Sequence, residues 1–198
     1  MNIAHSKSSS RASKARGLTL LFGSIAFAAL LTVSSCSSTF PNREVLGERF
    51  PEVTGETLTG EKLALPLNEP TVLLLGYVQD AQFDADRWLI GLLQATPPVR
   101  ILEVPTIPGL FPTMLAGTID EGMRKGIPSE DWQSVATVYG SDAELIVELT
   151  GNERPRNIRV LLLDAEGRVR WFHDRGFSAG KLLELGKEAA RLVEASSK

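Results

Sequence analysis

The 198-residue chain contains one cysteine, Cys36. A single thiol excludes an intrachain disulfide, a CxxC redox pair and a cysteine-built zinc cage. Asp80, Asp84 and Asp86 are spaced closely enough to suggest a metal or acid–base cluster. They lack the bend glycine and closing glutamate of a calcium loop, and capping of a helix start accounts for acidic residues there without chemistry. With Tyr77, Gln79, Gln82, Arg87 and Trp88 they form a polar-aromatic patch suited to binding. Arg159, near Arg154 and Arg156, could clamp an anionic group through paired N–H donors, or belong to a solvated face. His173 is the only histidine beyond residue 35 and reads as a surface residue. No GxSxG, Walker A or GxGxxG sequence occurs, and neither a metal nor a cofactor is expected.

The surroundings of Cys36 give it a different role. Residues 1–16 are basic and serine-rich, and residues 17–33, GLTLLFGSIAFAALLTV, are uncharged and apolar. That run is short for a membrane span and suits the core of a secretory signal. Val33-Ser34-Ser35-Cys36 then resembles the lipobox of bacterial lipoproteins. The resemblance implies cleavage after residue 35, acylation of Cys36 and a periplasm-facing anchor, and Ser37 points to the outer membrane. Lys7, Arg11, Lys14 and Arg16 leave with the signal, so the body keeps 17 of the 21 Lys+Arg against all 24 Asp+Glu, or −7. Phosphates repel such a body, and no nucleic-acid partner is expected.

The elements that must position the patch follow from periodicity. Residues 1–35 are expected to be the signal, 36–46 the lipidated cysteine and a tether, and 47–198 one domain. Residues 54–66 read as a hairpin, and 71–75 as a strand buried on both faces. Asp84–Gln94 reads as a helix, with Phe83, Trp88, Leu89, Leu92 and Leu93 inward. Residues 99–107 form a strand whose far end is interrupted by Pro105. A loosened helix spans 110–125, residues 134–139 form a strand, and 142–149 a helix capped by Ser141 or Asp142. Within Met123–Trp132 one helix stops and either another starts with Ser129 as its cap or an exposed loop meets a partner. Residues 159–163 repeat the buried run, 164–167 make a turn, and 168–172 alternate. Leu182, Leu185, Ala189, Leu192 and Val193 stripe the final helix.

Strands alternating with helices predict an α/β mixed sheet flanked by helices, opened by an N-terminal hairpin. Thr71-Val-Leu-Leu-Leu-Gly-Tyr-Val78 resembles the first core strand of thioredoxin-like proteins. Asn157-Ile-Arg-Val-Leu-Leu-Leu-Asp-Ala-Glu-Gly-Arg-Val-Arg-Trp171 and the opening Gly47-Glu-Arg-Phe-Pro51 resemble peroxiredoxins. In those families the reactive cysteine follows the first core strand. Here Gln79-Asp-Ala-Gln-Phe-Asp84 stands there, and no proline directly precedes Val160. Thiol chemistry is therefore not implied. The segment Met123–Pro128 and the pattern ending at Trp171 also resemble the thioredoxin-like family that assists mitochondrial ATP-synthase assembly. The expectation is a redox-inactive envelope lipoprotein that binds a protein partner through Tyr77, Gln79, Asp80, Gln82, Asp84, Arg87, Trp88 and Arg159. The alternative is a small-molecule or thiol-independent enzyme site at the same edge.

Overall fold

A computed structural model describes residues 39–196. The expected signal, Cys36 and the first tether residues lie outside the described residues. The described residues form one compact unit. Among the described residues, no helix is long and apolar enough to cross a membrane.

Strands β1 (Val53–Thr57), β2 (Lys62–Leu65), β3 (Thr71–Gly76), β4 (Arg100–Ile107), β5 (Ala136–Tyr139), β6 (Arg159–Leu163) and β7 (Val169–His173) form one sheet, ordered β2-β1-β5-β4-β3-β6-β7. β3, β4 and β5 are parallel, and the remaining pairings are antiparallel. The expected mixed sheet and its hairpin are both present. Helices are α1 (Gln82–Ala95), α2 (Leu110–Met114), α3 (Ala116–Gly126), α4 (Gly140–Thr150) and α5 (Ala179–Ser196).

β3 and β6 are buried on both faces, which is why each reads as an unbroken apolar run. Alternate residues feed two cores. Leu73, Leu75, Leu161 and Leu163 join Val45, Phe50, Ala143 and Ile146 on one face. Val72, Leu74, Val160 and Leu162 join Trp88, Leu92, Leu185 and Ala189 on the other. α1 ends where Thr96 takes the left-handed conformation (φ 44°) and its N–H reaches Leu92 O at 2.9 Å, ahead of Pro97-Pro98.

Several expectations need correction. β4 runs through Pro105, which stays in register opposite Gly76, while β5 pairs only beyond it, at Thr106 and Ile107. The loosened helix is two helices broken at Leu115. Ser129 opens a 3-10 turn (Ser129–Ser134) without a side-chain cap. α4 begins at Gly140, also without one, because the Asp142 carboxylate instead accepts from Thr54 N at 2.8 Å across to β1. Phe83 and Leu93 face solvent, at 78% and 62% exposure, since α1 turns only its other side to the sheet.

The stretch expected to be a tether is part of the domain from residue 39 onward. Val45 is completely buried in the core, and Phe40 N donates to Asn152 Oδ1 at 2.8 Å. Gly151 permits this approach: a Cβ there would lie 2.3 Å from Pro41 O, and its φ of +75° suits glycine.

Candidate functional site

The candidate residues follow the carboxyl end of β3, but the fold does not gather them on one surface. Gln79 and Asp80 are exposed in a 3-10 turn between β3 and α1. Asp80 meets Arg156 at 3.4 Å, with both side chains mostly in water, so the pair adds little stability. Gln82 Nε2 donates to Asp86 Oδ1 at 2.9 Å, and Arg87 is exposed.

Asp84 is not a helix cap. Its carboxylate is buried, accepting from Ile158 N at 3.0 Å and Phe177 N at 2.7 Å. It thereby ties α1 to the start of β6 and to the loop before α5. Trp88 is fully buried. Its ring stands 6.1 Å from Trp171, 5.7 Å from His173 and 5.4 Å from Phe177. His173 therefore belongs to an aromatic cluster rather than to open surface, and its Nε2 meets Gly176 O at 2.8 Å.

Arg159 lies on the opposite face of the sheet from Trp88. It is fully buried, and its guanidinium sits 4.7 Å from the Tyr77 ring. Nη1 donates to the carbonyls of Arg154 (2.8 Å) and Asn157 (2.7 Å), and Nη2 donates to Asn42 Oδ1 at 3.1 Å. Nε has no hydrogen-bond partner. Burial pulls the Arg159 pKa down, opposed by Tyr77 and Asp174. The Tyr77 hydroxyl pairs with Thr150 Oγ1, and burial pushes its pKa up to about 12.

Two features escaped the sequence reading. Asn42 binds Arg159, also donates to Asp174 Oδ2 at 2.6 Å, and accepts from Glu153 N at 3.0 Å. No periodic signal marks it. Glu103 stands half-buried on β4, and burial raises its pKa, with Gln82 lowering it and Asp86 adding to the rise. A charged residue within an alternating strand could have pointed to it.

The carboxyl end of the parallel strands carries no cysteine. It carries exposed apolar side chains instead: Val78 (42%), Leu110 (79%), Met114 (76%) and Leu115 (45%). Among the described residues, no three His, Cys, Asp or Glu side chains come together in a metal-binding group. A surface hollow of about 760 Å³ lies elsewhere, between β7 and α5, beside Trp171, His173 and Lys187.

No protein-family profile matches the chain, and no curated protein matches it. Solved structures do. A SCO1/SenC family lipoprotein from Bacillus anthracis aligns with TM-score 0.53 at 9% identity, covering 77% of this chain and 99% of that one. BsSco, described as a member of the Sco family of cytochrome c oxidase assembly proteins, aligns with TM-score 0.51 at 12% identity, covering 76% and 98%. A protein described as a putative disulfide isomerase from Bacteroides thetaiotaomicron aligns with TM-score 0.48 at 15% identity, covering 79% and 93%. At such identities the likeness concerns the fold: the chain folds as a thioredoxin-like domain.

Proposed function

We propose that the chain is a redox-silent, thioredoxin-like lipoprotein of the cell envelope, anchored through Cys36, that binds another envelope protein as an assembly or scaffold factor. One observation carries this reading. At the end of the sheet where this fold places a reactive thiol, the chain presents Val78, Leu110, Met114 and Leu115 to solvent and no cysteine. Exposed apolar side chains at such an edge suit protein contact. The similar folds of a described lipoprotein and a described assembly protein support the same class.

The alternative ligand site has no common cavity on which to rest. Its two largest members, Trp88 and Arg159, are buried on opposite faces of the sheet. Co-purification from solubilised membranes with a C-terminal tag tests the proposal. The native chain should bring down a stoichiometric partner, and a Leu110→Glu, Met114→Glu variant should lose it. No partner, or one indifferent to the variant, overturns the reading.

A further inference from the structure

α1 turns to solvent a stripe with a symmetry of its own. Phe83 is 78% exposed and Ile90 58% exposed, seven residues apart and so on one line of the helix. Asp86 and Arg87 lie between them, one on each side of that line, and both are exposed. The opposite side of the helix packs inward: Trp88 and Leu92 enter the core, and Gly91 lies against Leu182 and Phe177. Among the described residues Arg87 forms no ion pair, while Asp86 accepts only the neutral Gln82 amide.

From Phe83 to Ile90, read from either end, the stripe runs apolar, charged, oppositely charged, apolar, and Leu93, 62% exposed, extends it one turn further. We propose that this face binds a second copy of the chain, the two α1 helices lying antiparallel about a two-fold axis between residues 86 and 87. Phe83 then meets Ile90 of the second copy, Ile90 meets its Phe83, and Asp86 meets its Arg87 twice. Charge complementarity selects this partner, because the same two residues supply both ion pairs and any shift of the axis sets acid against acid or leaves them unpaired. The stripe is small, so the dimer belongs to the weak, transient class.

Sedimentation equilibrium of the full chain in detergent tests it, with circular dichroism confirming the fold of each variant. The native chain should dimerise. Asp86→Arg alone and Arg87→Asp alone should each weaken dimerisation at least tenfold, by setting like charges together. The double variant Asp86→Arg, Arg87→Asp should restore it to within about threefold, because the swap recreates both pairs. Leu145→Glu, on α4, should leave it unchanged. A monomeric native chain, single variants without effect, or a double variant as weak as the singles each overturns the proposal. So does association that vanishes on removing residues 1–35, which would name the apolar stretch 17–33 as the occupant.

Discussion

Asn42 and Arg159 are 117 residues apart in the chain, yet Asn42 Oδ1 accepts a hydrogen bond from Arg159 Nη2 at 3.1 Å. The same Asn42 side chain holds Asp174 and the Glu153 backbone. The first described residues are thus fastened to the start of β6, beside Tyr77. Asn42→Ala should lower stability by about 2–3 kcal/mol, since it leaves a buried cation with one donor unmet. Thermal unfolding reads the loss, and hydrogen exchange should quicken across residues 40–46. Rapid exchange there in the native chain would contradict the fastening.

Asp84 offers a sharper test of position against role. If its carboxylate serves two backbone N–H groups, Asp84→Ala should cost about 2–4 kcal/mol in denaturant unfolding. A loss near 1 kcal/mol would return the residue to a helix-end role.

Trp88→Ala should cost about 3–5 kcal/mol, because it empties the centre of an aromatic cluster. Asp80→Ala and Arg87→Ala should each stay within about 0.5 kcal/mol, as exposed residues do. Similar values for all three would mean that the patch is one surface after all.

The chain has two tyrosines, Tyr77 and Tyr139. Burial pushes Tyr77 up to about 12, and burial together with its bond to Asp120 pushes Tyr139 up further. Unfolded tyrosine ionises near pH 10. The native chain holds its phenolic protons above that value while the unfolded chain releases them, so stability is whole below about pH 10 and falls between about 10 and 12. Tyrosinate absorbance should therefore stay low at pH 11 and rise together with unfolding. Ionisation near pH 10 in the folded chain would refute the burial.

The domain beyond Cys36 has no thiol, so peroxide and disulfide reduction by a Cys36→Ser variant should not exceed buffer rates. Turnover would require a nucleophile that the fold does not place at its carboxyl edge.

Local pattern determined much of this protein. The apolar runs of β3 and β6, the alternation of β4, the hairpin and the stripe of α5 each express a period that burial imposes, so they are legible one segment at a time. The absence of a cysteine at residues 79–84 is likewise a fact of sequence. Which face a side chain serves was decided only by the tertiary structure. Asp84 looks like a cap until β6 and the loop before α5 bring two N–H groups to it. Trp88 and Arg159 look like neighbours in a patch until the sheet separates them. Asn42 looks like linker until Gly151 makes room beside it. These outcomes depend on contacts 74 to 117 residues apart, and no local period encodes which distant donor will arrive.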